Sequence, residues 1–271
     1  MPTDRPQRPR RTVLVTGASA GIGKAAAQAY AARGWDVALT ARRREPMEAL
    51  AAELRDAGVR AEVFVADLFD PDAPERLLGE VRGRMGQVDG LFNNAGYGHP
   101  GQYLDSDWSE HARFLQLMLH APSELAWRAA GPMAERGHGQ IINVASLAGH
   151  LPGSKGHTLY AAVKSYLIKF SQSLNLELKG AGVDVSALCP GFTYTEFHDV
   201  NGTRGQVSKL PGFMFQDARD VVEEGLEAAS RGKAVHVTGR VNRLIAGMGR
   251  LIPGAVSQNL MEKNSEKFRK G

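Results

Sequence analysis

TVLVTGASAGIGKAAAQAYAAR, residues 12–33, is the stretch on which the reading of this chain turns. Thr12–Thr16 is short, apolar and β-branched, the pattern of a buried strand. Gly17, Gly21 and Gly23 follow at once, and an Ala-rich segment, Lys24–Arg33, reads as a helix. Strand, glycine turn and helix are the order that a dinucleotide site needs. Glycines let the backbone turn tightly beside a pyrophosphate, and a helix N-terminus attracts its charge. The spacing is G-x-x-x-G-x-G rather than the commoner G-x-G-x-x-G. The turn nominates Gly17, Ser19, Gly21, Ile22 and Gly23 as cofactor contacts. The same residues would also serve a plain strand–helix connection.

Working outward, Gly34 ends the helix and Val37–Thr40 reads as a second strand, followed by Ala41-Arg42-Arg43-Arg44. An NAD-preferring site usually has Asp or Glu here, to hold the ribose 2′-hydroxyl. Arg42 and Arg43 instead suit a 2′-phosphate, which predicts NADP (NADPH). The alternative is that these arginines only solvate the start of the next helix. Beyond them the alternation continues: helix 45–57, strand 60–66 closed by Asp67 and Leu68, helix 71–85, and strand 88–92 running into Asn93-Asn94-Ala95-Gly96. A long helix is expected over about 105–133, bent near Pro122. Then come strand 140–145, a helix to about Lys179, and strand 183–188 ending at Pro190-Gly191. Short apolar strands alternating with helices predict a single α/β domain, a doubly wound parallel sheet with helices on both faces. Ligands of such sheets sit at the carboxyl ends of the strands, where Gly17, Asp67, Asn93, Ser146 and Pro190 all fall.

Tyr160 and Lys164 stand four residues apart, so on a helix they share a face. A neighbouring ammonium favours the phenolate and draws the phenol pKa down towards the working range. Ser146, delivered by strand 140–145, could bond a substrate oxygen while Tyr160 exchanges its proton. That set suits interconversion of a carbonyl and an alcohol. Alone, the pair reads as an amphipathic helix with one exposed Lys and one half-buried Tyr; the rest of the chain changes that reading.

Composition bounds the rest. A chain of 271 residues with 43% hydrophobic and 23% charged residues is ordinary for a globular protein. One cysteine, Cys189, permits no internal disulfide, and a cytoplasmic home is expected. The basic balance is uneven. Residues 1–11 carry four Arg against one Asp, residues 231–271 nine Lys/Arg against two Glu, and the middle is acidic. Basic ends without interleaved aromatics do not suggest nucleic-acid binding. The eight His show no ligand spacing, so no metal is expected.

Together, T-G-A-S-A-G-I-G at 16–23, Asp67, N-N-A-G at 93–96, Ser146, Y-A-A-V-K at 160–164 and Pro190-Gly191 followed by Thr195 resemble the short-chain dehydrogenase/reductase family over about residues 12–196. The resemblance implies a Rossmann-like fold and an NADP-dependent oxidoreductase with Ser146, Tyr160 and Lys164 as its catalytic set. It implies that Asp67 and Leu68 meet the adenine, and that Asn94, Ala95 and Gly96 support the cofactor. Tyr160 and Lys164 would hold its ribose, and Pro190, Gly191, Thr193 and Thr195 would meet the nicotinamide amide and phosphates. It also implies a homodimer or homotetramer. One residue departs from the pattern: Met118 stands where the family has an Asn that bends the long helix and holds a relay water. That departure keeps open a cofactor-binding sensor or scaffold with little catalysis; an epimerase or dehydratase using bound cofactor is the other alternative.

The expected organisation is a disordered basic arm (1–11), a catalytic domain (12–239) and a basic amphipathic helical extension (240–271). Residues 198–216 read as an irregular lid lined by Phe197, Leu210, Phe213, Met214 and Phe215, closing over an apolar small-molecule carbonyl or alcohol. In the extension, Leu244, Ile245, Met248, Leu251 and Ile252 form an apolar stripe. The stripe would pack on the protein or make a peripheral membrane contact. Trp108 and Trp127 are expected to be packing residues.

Overall fold

The computed structural model describes residues 10–99, 101–194 and 215–251. Thr12–Thr16 forms strand β1, buried along its whole length. It is followed by α1 (Gly21–Ala32), β2 (Asp36–Ala41), α2 (Arg44–Asp56), β3 (Ala61–Val65), α3 (Ala73–Met85) and β4 (Gly90–Asn93). The second half adds α4 (Trp108–Leu115), α5 (Ala121–Arg136), β5 (Gly139–Val144), α6 (Thr158–Leu178) and β6 (Val183–Cys189). Seven strands make one parallel sheet in the order β3-β2-β1-β4-β5-β6-β9, the last being Val235–Val237. The chain runs outward from β1 to β3, then returns to add β4 on β1's other side. That reversal opens a crevice at the carboxyl edge between β1 and β4. One buried apolar layer lies under α3, α5 and α6, the other under α1, α2 and α7 (Ala218–Ser230).

The doubly wound parallel sheet agrees with the sequence expectation. Helix α7 and strand β9 were not anticipated, nor was a small parallel pair, β7 (Phe192–Tyr194) with β8 (Phe215–Asp217). Each of these strands has three residues, too few for a period to emerge. The long helix differs from expectation in a useful way. Between α4 and α5, Gln116–His120 forms a π turn in which Ala121 N–H bonds Gln116 O. Pro122 follows, and because it has no N–H, Met118 O loses its ordinary helical donor. Met118 is buried in the core beneath this turn. Trp108 and Trp127 do not pack as expected: they are 65% and 72% exposed, on the outer faces of α4 and α5.

Candidate active site

The glycine turn is held from behind. Gly17 has φ of 67°, open to glycine without strain. Ala18 N–H bonds Thr40 O at 3.1 Å, tying the turn to the end of β2. The Asn94 amide donates to Thr16 O at 2.9 Å, and Thr16 Oγ1 receives the backbone N–H of Asn94 and of Ala95. Asn94 therefore spends its side chain on bracing the turn. At Gly23 a Cβ would stand 2.2 Å from Gly17 O, so any side chain would force turn and helix apart. Helix α1 begins with Ala20 at its cap, no side-chain capping bond and no acidic residue in its first turn. Its first N–H groups and its positive end are open to an anion. The residues fit a dinucleotide pyrophosphate.

At the end of β2, Arg42 and Arg43 diverge. Arg43 reaches across to Ser19 Oγ at 3.2 Å. Arg42 lays its guanidinium over the Phe69 ring, 5.4 Å from the centroid. Asp67 Oδ1 accepts the Phe69 N–H at 3.1 Å, closing the turn that presents that ring, while Leu68 is buried in the core.

Ser146 follows β5 in extended conformation and caps a short 3-10 turn by accepting Ala148 N–H at 3.1 Å. Leu147 N–H bonds Pro190 O at 2.8 Å, so the turns after β5 and β6 are joined. Tyr160 and Lys164 lie on α6, facing this turn. Tyr160 is hydrogen-bonded to Ser146. Lys164 Nζ stands 5.6 Å from the Tyr160 ring centroid and donates to Val144 O at 2.7 Å. The sequence puts the ammonium in charge of the phenol's pKa, but burial dominates here. Burial raises the Tyr160 phenol, with the Ser146 hydrogen bond opposing it. Burial also lowers the Lys164 ammonium from 10.5 to about 8. Ser146, Tyr160 and Lys164 are thus brought together as expected, in a drier setting than their spacing implies.

Pro190 is buried beside them, and Thr193 Oγ1 donates to Gly191 O at 3.2 Å. Thr195 lies outside the described residues, as do Phe197, Leu210, Phe213 and Met214 of the expected lid. Phe215 is described and stacks on Tyr194, ring centroids 4.7 Å apart. Helix α8 (Arg240–Leu251) docks near both turns; of its expected stripe Ile245 is half-buried, and the Leu251 side chain and Ile252 lie outside the described residues. Asn242 and Ala246 are buried, whereas Leu244 is 66% and Met248 53% exposed. Gly191 abuts the Asn242 amide, and Gly249 abuts His150 O on the turn after Ser146. Small and polar residues allow that close approach; a Leu could not.

Sequence reasoning missed several residues that build the site. A Cβ on Gly149 would meet the Lys164 backbone at 2.7–2.8 Å, so this glycine sets how closely the Ser146 turn approaches α6. Asn143 is fully buried and donates to Ser171 Oγ at 2.9 Å, while Asn93 donates to Asn143 Oδ1 at 2.9 Å and to Pro122 O at 3.0 Å. A signal existed for this network: an Asn inside the apolar run 140–145. Arg113 and Phe69 carried no motif at all. Among the described residues no three His, Cys, Asp or Glu side chains gather as a metal site.

A family model described as short chain dehydrogenase matches residues 11–204. The 3-oxoacyl-[acyl-carrier-protein] reductase of Escherichia coli is 30% identical over 88% of this chain and 97% of its own length. A short-chain dehydrogenase from Sphingobium yanoikuyae in complex with NADPH superposes with a TM-score of 0.79, at 33% identity, over 93% of this chain and 95% of the other. The bulky-bulky ketone specific alcohol dehydrogenase from Comamonas testosteroni gives a TM-score of 0.74 at 30% identity, over 90% and 94%.

Proposed function

The chain belongs to the short chain dehydrogenase family, and we propose that it is an NADP-dependent oxidoreductase that interconverts a carbonyl and an alcohol. The observation that carries this reading is the hydrogen-bonded Ser146–Tyr160 pair with the buried Lys164 ammonium against the Tyr160 ring. Similarity to an NADPH-bound dehydrogenase and to a reductase of a 3-oxoacyl substrate supports it. So does Arg42 at the end of β2, where an NAD-preferring site would carry an acid.

Bound, the reduced nicotinamide supplies a hydride to the carbonyl carbon. Negative charge then grows on the carbonyl oxygen. Ser146 already accepts Ala148 N–H, so its own O–H remains free to turn from Tyr160 to that oxygen. One such donor can be worth about 3 kcal/mol in the transition state. Tyr160, kept protonated at neutral pH by its burial, gives its proton to the same oxygen. Lys164, fixed by Val144 O, faces the phenolate left behind and offsets its charge. In the direction of alcohol oxidation the proton returns by the same path.

The test is a panel of ketones and alcohols followed by reduced-nicotinamide absorbance, with Tyr160→Phe beside the native protein. The variant should lose at least about a thousandfold in turnover, as for loss of both proton transfer and an oxyanion donor, while NADPH affinity stays within about twofold. Retained turnover in Tyr160→Phe would mean that another group moves the proton.

A further inference from the structure

The Phe69 ring carries a second cation. Arg113, on the outer side of α4, holds its guanidinium carbon 4.7 Å from the ring centroid, against 5.4 Å for Arg42. The ring itself is fixed. Phe69 meets Tyr97 edge-on at 6.0 Å, and Tyr97 meets buried Phe114 at 5.4 Å. Both guanidiniums act on the Tyr97 phenol, opposing the burial that raises its pKa, with Glu110 acting the other way.

Several arginines of this surface find acids, while others, such as Arg55 and Arg82, bond a carbonyl oxygen instead. Arg33 pairs with Glu223, Arg44 with Glu48, Arg76 with Asp70, Arg128 with Glu124, and Arg231 with Glu227. Among the described residues, no carboxylate pairs with Arg42 or Arg113. Two like charges on one ring repel unless an anion lies between them. Planar guanidiniums from two directions suit the tetrahedral oxygens of a phosphate. The place is specific as well. It adjoins the glycine turn through the Ala18–Thr40 bond and through Arg43 on Ser19.

We propose that Arg113 completes the 2′-phosphate site with Arg42, and so is a specificity-determining residue supplied from α4 rather than from the end of β2. This rests on the NADP reading above. In it, Phe69 is the shared platform that holds both cations extended towards the ligand, so little side-chain entropy remains to be lost on binding.

The test is binding of NADPH, NADH and 2′,5′-ADP to the full-length protein by titration calorimetry. Arg113→Gln should weaken NADPH and 2′,5′-ADP by about tenfold each and NADH by less than about twofold, the scale of a partly exposed charge-assisted contact. Arg42→Ala should act in the same sense. The double variant should lose less than the product of the two, because both grip one phosphate. If Arg42→Ala alone changes the NADPH-to-NADH ratio, Arg113 has no part in the site and the NADP reading survives. If Arg113→Gln weakens both dinucleotides equally, its role is structural and the proposal fails. If the native protein binds NADPH and NADH alike, the NADP reading itself fails.

Discussion

The two ends of the site handle charge in opposite ways. At the carboxyl end of β2, Arg42 and Arg113 lie in solvent on the Phe69 ring. Below β5, Lys164 is only 7% exposed, and burial has lowered its ammonium to about 8. An exposed charge keeps its hydration until a ligand arrives and gains little from it, so it discriminates between ligands by modest factors. A buried charge costs the fold permanently and acts strongly on whatever enters beside it. On the proposed reading, recognition is built from cheap, replaceable contacts, and chemistry from one costly group held by close packing. Substitutions should divide along the same line.

Among changes outside the Ser146–Tyr160–Lys164 set, the largest break is expected at Gly149. A methyl group there would fall 2.7 Å from Lys164 C and 2.8 Å from Lys164 O, and backbone cannot swing aside as a side chain can. Gly149→Ala should push the Ser146 turn off α6. Turnover should fall on the order of a hundredfold, the scale of a misplacement near 1 Å. NADPH affinity should hold, because the glycine turn and Arg42 lie at the other end. A melting curve separates this from simple unfolding: overpacking of this kind costs about 1–3 kcal/mol. Equal losses of turnover and of NADPH affinity would mean that the two ends are not separable.

Next in size is the cost of the buried ammonium. In the unfolded chain the Lys164 amine keeps its proton up to about 10.5, and in the fold it releases it near 8. Between those values the unfolded chain binds the extra proton, so stability rises with pH across that window. Below pH 8 the full penalty applies, about 3 kcal/mol at most. Lys164→Met should thus be inactive yet more stable than the native protein at pH 7, with the advantage shrinking from pH 8 to 10.5. The donor lost to Val144 O adds an offset that does not vary with pH, so the slope is what decides. Stability differences that stay the same at pH 7 and pH 10 would overturn the buried-charge argument. The matching change at the exposed end, Arg42→Ala, should leave stability within about 0.5 kcal/mol.

The same division explains what could be read from the chain. Strand-turn-helix at 12–33 was legible because three glycines punctuate an apolar run and an Ala-rich segment. Tyr160 and Lys164 were legible as one helical face and Ser146 as the residue delivered by an apolar strand, but only with the other blocks of the chain, from the glycine turn to Pro190-Gly191, did the three read as a site. Steric requirements between distant segments were not. Gly149 against Lys164 and Gly191 against Asn242 arise only when two turns and two helices are folded together. Arg113 was hidden for a similar reason: nothing in α4 says that its outer face will meet a ring on the turn after β3. The π turn was half visible, since Pro122 announced an irregularity without its form. Helix α8 was visible as a helix, but its apolar stripe gave no sign that Asn242 and Ala246 would be buried while Leu244 and Met248 face solvent.

That last case gives the smallest predicted effect. The apolar stripe suggests that Leu244 and Met248 anchor α8, as ordinary amphipathic docking would have it. The geometry says otherwise. Asn242 is 4% exposed, donates to Thr238 O at 2.9 Å and fits against Gly191 so closely that a Cβ there would stand 2.4 Å from its amide nitrogen. Ala246 lies one turn further along the same buried face. Little apolar area is removed from water at Leu244 and Met248, so little stabilisation is lost with them. Leu244→Ser with Met248→Ser should move the unfolding free energy by less than about 0.5 kcal/mol and leave turnover unchanged. Asn242→Leu should do the reverse. It loses the bond to Thr238 O, forces a branched side chain against Gly191 and should cost about 2 kcal/mol together with turnover. Denaturant unfolding of the two variants beside the native protein decides the matter. If the serine pair proves the more damaging, α8 is anchored by its stripe after all, and the Gly191 and Gly249 contacts do not hold it to the site.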